Sequence, residues 1–171
     1  MKCMLAHLLL GVSLPLFLGA DAEDWKPFTP KEGGFTILFP GAPAESKQET
    51  KTPAGTVTVT FFVAEQDGVT YIAGYSVFPK ETRKTRTEEK RLDNARDGAV
   101  AAAKGKLEAE RKFHLKKHSA RELLIKGEKA FIRSRIYAVE NRLYQSMVMG
   151  TKEQTKGKEA THFLDSFQLA K

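Results

Sequence analysis

Apolar and polar residues alternate most clearly over residues 129–150, and this pattern predicts two adjacent strands joined at Glu140 and Asn141. Both strands are rich in β-branched and aromatic side chains, as is typical of β structure. Apolar groups fall on both faces of each strand. We therefore place this hairpin at the centre of a sheet that has at least partial cover on both sides.

Three further strands are predicted upstream of the hairpin, over residues 35–39, 56–65 and 69–78. In each of them side chains of one face alternate with those of the other at the period of a strand. Asp67 and Gly68 join the second strand to the third and suit a tight hairpin, because both central positions tolerate a positive φ. We expect these strands to form the first half of the sheet.

Two helices are predicted. From Thr87 to Gly105 apolar residues recur at helical spacing, with Thr87 as a suitable N-cap and Gly105 as a suitable stop. The alanine-rich stripe of this middle helix implies close packing on its neighbour. Apolar residues within 160–167 follow the i, i+3, i+4, i+7 spacing of an amphipathic helix, which we expect to dock on the sheet.

Residues 106–116 and 120–126 predict two more strands between the middle helix and the central hairpin. On the first of them Glu108, Glu110 and His114 share one face, which we expect to be wet. The whole pattern predicts an α+β fold in which an antiparallel sheet of six or seven strands is flanked by a middle helix and a C-terminal helix.

Polar segments separate these elements. Residues 42–54 are rich in lysine and glutamate and contain two prolines, and they predict an exposed loop. Residues 80–86 predict a basic connector, and residues 152–158 a polar one.

Residues 1–22 predict an export signal that is cleaved after Ala22, because a lysine, an apolar run and an A-D-A motif follow one another. The apolar run is short for a membrane span, which needs about 20 residues. Cys3 precedes the run instead of ending it, so we expect no lipid anchor. Residues 23–171 are then a single domain, periplasmic or extracellular, without cysteine and without a transmembrane segment.

The chain is basic, with 28 Lys and Arg against 21 Asp and Glu and a net charge of +7. Such a balance favours acidic partners, including lipid head groups, acidic polysaccharide and nucleic acid. Charges of both signs are interleaved, however, as on an ordinary solvated surface. The sequence has no aromatic RNA-binding signature, zinc finger or basic recognition helix, which argues against nucleic-acid binding.

No reaction signature is present. His114 and His118 are four residues apart on a predicted strand, a span of about 13 Å that is too long for one metal ion, so we expect two solvent-facing histidines. Glu108 and Glu110 stand among lysines, where a raised carboxyl pKa is not expected. The G-x-S-x-G motif of serine hydrolases is missing. We therefore expect no catalytic residue, no metal and no cofactor.

The predicted binding site consists of Arg133, Arg135 and Tyr137 on one strand face, with Arg142 and Tyr144 across the turn. Arginines beside aromatic rings on a rigid sheet can hold an anionic ligand, or the carboxylates of a protein partner, by bidentate bonds. Alternatively, the guanidinium groups pair with acids of the sheet itself or with carbonyls of the C-terminal helix, and their stems cover apolar surface.

The order of elements, together with FTILFP at Phe35–Pro40, the RIYAVENRLYQ hairpin and FLDSF at Phe163–Phe167, resembles the PsbP-like superfamily. Its members are small antiparallel sheets sandwiched by helices, and the chain also resembles small exported bacterial domains of unassigned function. Because superfamily members are mostly non-catalytic subunits or adaptors, the resemblance implies a secreted binding or assembly module. The alternatives are a hydrolase that uses carboxylates in a cleft, and a basic envelope protein that holds acidic polymer or lipid head groups.

Overall fold

The computed structural model describes residues 25–52, 55–80 and 86–170 and shows an α+β fold. The predicted export signal and most of the predicted basic connector lie outside these ranges. The strands are β1 (Lys26–Phe28), β2 (Phe35–Phe39), β3 (Ala44–Thr52), β4 (Gly55–Gln66), β5 (Val69–Val77), β6 (Lys106–Leu115), β7 (His118–Lys126), β8 (Phe131–Val139), β9 (Arg142–Gly150) and β10 (Gln168–Leu169). The helices are α1 (Glu88–Ala102), α2 (Lys152–Lys156) and α3 (Lys158–Asp165). Within the described ranges no helix has the length and apolar character needed to cross a membrane.

Seven strands form an antiparallel main sheet in the order β3-β4-β5-β9-β8-β7-β6. The predicted fold class and strand number are therefore confirmed. The β8–β9 hairpin lies at the middle of this sheet, and its turn contains Glu140 at a φ of 51°. The β4–β5 hairpin turns at Asp67 and Gly68, with φ values of 51° and 72°. Both hairpins were predicted, and the positive φ values explain why these residues occupy the turns.

The predicted first strand, β2, is not part of the main sheet. It pairs with β1 on one side and β10 on the other, which gives a separate small sheet. Phe35, Ile37 and Phe39 are fully buried, so the alternation identified the strand and its buried side chains correctly. The prediction of its partners was wrong, because alternation specifies burial and does not specify which strand receives the backbone hydrogen bonds.

The segment predicted as an exposed loop contains β3, so this prediction was also wrong. β3 is an edge strand of the main sheet and pairs with β4 along its full length. Its described side chains are exposed, and Lys47 and Glu45 form an ion pair of 3.1 Å between exposed side chains. An edge strand with charged side chains resists pairing with another chain. With neither face buried, its sequence has the composition of a loop.

The two faces of the main sheet carry separate cores. On one face α1 packs on β7 and β8, where Leu92 joins Leu123 and Ile136. On the other face α3 and the small sheet form a larger aromatic core that contains Phe163 and Phe35. The prediction that a middle helix and a C-terminal helix flank the sheet is confirmed.

A β-bulge between Leu107 and Ala109 changes the direction of the side chains along β6. Leu107 packs in the core under α1, whereas Phe113 packs in the core under α3. The prediction that Glu108 shares one face with Glu110 and His114 was therefore wrong, although all three residues are exposed, as predicted. Glu110 contacts Arg121 of β7 on the face covered by α1. Glu108 contacts Lys152 of α2 on the opposite face.

The predicted polar connector at residues 152–158 is also ordered. Thr151 and Gln154 form a capping box at the start of α2, because each side chain accepts a hydrogen bond from the other's backbone N–H, at 3.2 and 2.8 Å. Gly157 separates α2 from α3. A helix of five residues is too short to show periodicity in the sequence, which explains the error.

Candidate functional site

Helix α1 covers only part of the sheet face on which it packs. It contacts β7 and β8, and the same face continues across β9, β5 and β4 to the edge strand β3. Apolar side chains of this uncovered part, including Phe61 and Met147, are half-buried. The trough between α1 and the facing residues of β4, β5 and β9 is called the α1 groove below.

The α1 groove encloses about 600 Å³, which lies within the range of about 300–1,000 Å³ for small-molecule pockets. The sheet contributes mainly apolar side chains, among them Val57, Phe61 and Met149. The helix contributes small residues, including Gly98 and Ala99. A Cβ atom added at Gly98 would have no heavy atom within 4 Å. The small residues of α1 thus create the space that a larger side chain would fill.

The charged residues that line the α1 groove in the described part of the chain are Lys51, Arg86 and Arg91, and none of them is acidic. Arg86 and Arg91 lie before and within the first turns of α1, and Lys51 lies near the end of β3. The antiparallel register brings the end of β3, the start of β4 and the end of β5 to the same edge of the sheet. The basic residues therefore share one end of the groove.

Ser134 of β8 is a polar point in the apolar wall of the α1 groove. Its side chain is 1% exposed, and its Oγ has no hydrogen-bond partner among the described residues. Buried hydroxyl groups in proteins are nearly always paired, and an exception calls for an explanation. Ser134 lies beside Met147, with which it pairs across β8 and β9.

The five residues of the predicted binding site lie on the opposite face of the sheet, where Arg133 and Arg135 contact α3 and where Arg142 contacts the segment before β2. Arg135 donates from Nε to Glu122 at 2.6 Å and from Nη1 to the Leu164 carbonyl at 3.0 Å, and its Nη2 lies 2.7 Å from Asp165. Arg133 donates to Glu122 at 3.2 Å and to a hydroxyl of α3 at 3.0 Å. These are the contacts expected if the arginines pair with acids of the sheet and with carbonyls of the C-terminal helix.

The other three members of the predicted site also have partners within the chain. Arg142 donates to the carbonyl oxygens of residues 32 and 33, both at 2.8 Å. The ring of Tyr137 stacks on Phe167 with centroids 4.4 Å apart, and Tyr144 contacts Phe35 edge-on. A role for these five residues in holding an external anion stays a prediction, whereas their role in packing α3 and β2 onto the sheet follows from the contacts.

Glu122 lies at the centre of this arginine network. Burial opposes its ionisation, but the hydrogen bond from Arg135 and the charges of Arg133, Arg135 and Arg111 outweigh it, so the pKa of Glu122 lies below its usual value. Glu122 is therefore ionised at neutral pH and holds two arginines against the base of α3.

A second group of acids surrounds Arg121, which is 1% exposed. Its Nη2 lies 2.9 Å from Glu89 and 2.8 Å from Asp93, and its Nη1 donates to Glu110. Burial opposes the ionisation of Glu89, but Arg121 lowers its pKa through a hydrogen bond and its charge. A general acid needs a raised pKa, so this carboxylate is shifted in the direction opposite to that of a hydrolase acid.

His118 does not face solvent, contrary to the prediction. Its side chain is 12% exposed and its Nδ1 lies 3.1 Å from a carboxylate oxygen of Glu88, whose other oxygen accepts from the Ser119 N–H at 2.8 Å. These contacts join the start of α1 to the start of β7. His114 is exposed, as predicted. Among the described residues no group of three or more His, Cys, Asp or Glu side chains is arranged to hold a metal ion.

The α1 groove is the feature that sequence reasoning missed. The alternation of Val57, Val59 and Phe61 predicts a strand, and at least partial cover was expected on both faces of the sheet, but this pattern does not indicate which part of a face stays uncovered. The available signal was the contrast between Met147 on the sheet and the small residues around Gly98 on the helix. A helix stripe of small residues cannot fill the space above large side chains that lie at a distance from it.

No protein-family model matches the sequence, and no curated protein matches it. A solved structure does match, the solution structure of cyanobacterial PsbP (CyanoP) from Synechocystis sp. PCC 6803. The similarity covers 91% of this chain and 99% of that chain, with a TM-score of 0.58 and 9% sequence identity. At this identity the likeness shows the fold alone.

Proposed function

We propose that this chain, which has a PsbP-like fold, is an exported, non-enzymatic binding module that holds an apolar small molecule in the α1 groove. The observation that carries the proposal is the groove itself, which encloses about 600 Å³ and is lined mainly by apolar side chains of the sheet and small residues of α1. The opposite face of the same sheet is filled by a well-packed aromatic core. The open face therefore does not follow from a general lack of packing.

Contact between water and the apolar lining of the groove is energetically unfavourable. Burial of apolar surface contributes about 25 cal/mol per Å², and the half-buried Phe61, Met147 and Met149 leave such surface accessible. A ligand that covers these side chains would gain this free energy.

The lining also supports binding without catalysis. The described residues around the groove include no histidine, cysteine, aspartate or glutamate. A serine hydroxyl such as that of Ser134 needs an adjacent base to act as a nucleophile. The converging carboxylates of the molecule surround Arg121 instead, outside this lining.

A small molecule fits the groove better than a helical segment of a protein. An α-helix with side chains is about 10–12 Å across and rises 5.4 Å per turn, so each turn fills roughly 500 Å³. The groove of about 600 Å³ would then accept little more than one turn.

The same proposal includes export through the predicted signal at residues 1–22 and a single domain over residues 23–171.

The proposal is tested with an uncharged fluorescent apolar dye, Nile red, added to the purified protein. We expect saturable binding and a rise in fluorescence as the dye leaves water. Gly98→Leu places a large side chain in the open space of the groove and should abolish binding. Gly98→Ala is the matched control, because it changes the helix in the same way without filling the groove. Unsaturable binding, or equal binding by all three proteins, would overturn the proposal.

A further inference from the structure

We infer that the ligand of the α1 groove is a single-chain amphiphile with an anionic head group, of the class of long-chain fatty acids. This inference rests on the proposed function and adds the chemistry of the ligand. It follows from the unequal distribution of charge along the groove, with basic residues at one end and uncharged residues at the other.

The basic end is defined by three elements that the fold brings together. Lys51 comes from β3, Arg86 precedes α1, and Arg91 lies in the second turn of α1. The ends of β3 and β5 and the start of β4 meet here, since Val59 pairs with Ser76 and Thr52 pairs with Gly55. Lys51 is exposed and Arg86 is partly exposed, and with no acidic residue in the described lining these two positive charges attract an anion to this end.

The far end of the groove is suited to an alkyl chain. Met147 and Met149 lie there, because they pair with Ile72 and Thr70 near the start of β5. Methionine side chains are flexible and polarisable, so they adapt to a chain of variable shape. On the helix side Ala99 and its small neighbours leave the path open. A linear chain that begins among the basic residues would therefore run along apolar surface toward Met149.

The exposure of the basic residues determines how the inference can be tested. Lys51 is exposed and Arg86 is partly exposed, so both can be replaced with little effect on packing. Arg91 is 7% exposed and is kept, because its replacement would disturb the fold. The test variant is therefore Lys51→Glu combined with Arg86→Glu. The matched control is Lys106→Glu combined with Lys126→Glu, the same charge change at an exposed pair on β6 and β7.

The experiment measures displacement of bound Nile red by palmitate and by hexadecanol, which share a chain and differ in the charge of the head. We expect palmitate to bind more tightly than hexadecanol and to lose affinity at high salt. Reversal of the two charges in the groove should weaken palmitate binding by about tenfold. Hexadecanol binding should not change, and the control variant should bind both molecules as the original protein does.

Two outcomes would contradict different statements. If palmitate and hexadecanol bind equally, or if the groove and control variants weaken palmitate binding equally, the inference about the anionic head is wrong and the proposed apolar site stands. If neither molecule displaces the dye and Gly98→Leu leaves dye binding unchanged, the proposed function itself is wrong.

Discussion

Arg121 shows how single residues hold this fold together. Its guanidinium lies between the sheet and the start of α1 and contacts carboxylates from both, Glu110 on β6 and Glu89 and Asp93 on α1. A charge at this depth is tolerated only because its partners compensate for the loss of water. On the other face Glu122 does the same for Arg133 and Arg135. At the residue scale, each helix is attached to the sheet by a paired charge as well as by apolar contacts.

Replacement of Arg121 by methionine should lower the free energy of unfolding by about 3 kcal/mol. The value lies at the lower end for a broken buried ion pair, because Glu89 remains half-exposed and can be hydrated. Urea denaturation followed by circular dichroism measures the change. Arg111→Met is the control, since Arg111 is exposed and its loss should cost less than about 0.5 kcal/mol. Equal effects of the two variants would contradict a special role for Arg121.

Stability should fall in acid partly through Glu122. Its pKa in the folded protein lies below its ordinary value of 4.5. Its contribution to stability is therefore fully present above pH 4.5 and is lost as the pH falls through the lower folded-state pKa. Glu122→Gln should be less stable at neutral pH and should lose less stability in acid. Urea unfolding at a series of pH values measures both slopes, and parallel slopes would contradict this account.

At the scale of the elements, the sequence predicted strands and helices better than it predicted their partners. The turn residues Asp67 and Gly68 determined one hairpin, because few residues tolerate a positive φ. β3 could not be predicted from periodicity, because an edge strand with no buried face has no alternation to display. The α1 groove depends on the distance between Gly98 and the sheet, which no pattern along one strand or helix contains.

Helix α1 should tolerate a change at Gly98 that improves its stability. Glycine is less favourable than alanine in a helix interior by about 0.8–1.0 kcal/mol, and the added Cβ meets no other atom. Gly98→Ala should therefore raise the free energy of unfolding by roughly that amount. Thermal and urea unfolding measure it. Ala99→Gly, one position along the same helix, is the reverse change and should lower stability. A fall in stability for Gly98→Ala would contradict the expected free space.

At the scale of the whole molecule, the two faces of the main sheet differ in how they are completed. One face is closed by α3 and the small sheet, where Phe167 stacks on Tyr137 and on Phe35 with centroids 4.4 and 5.4 Å apart. On the other face α1 packs mainly on β7 and β8 and leaves the α1 groove open. The molecule thus combines a closed face with a partly open one.

The difference between the faces can be measured with two phenylalanines. Phe167→Ala removes a ring that is 4% exposed and should lower the free energy of unfolding by about 3–5 kcal/mol. Phe61→Ala, in the half-buried wall of the α1 groove, should cost less than half as much. Urea denaturation of both variants gives the comparison. An equal cost would show that the groove is part of the core.

The small sheet also determines when this protein can finish folding. Leu38 of β2 donates its N–H to the Ser166 side chain, 128 positions later, and β10 completes the same sheet. A ribosome makes β2 long before it makes these partners, so the buried rings of Phe35 and Phe39 stay uncovered during synthesis. The nascent chain therefore cannot close into its final form early.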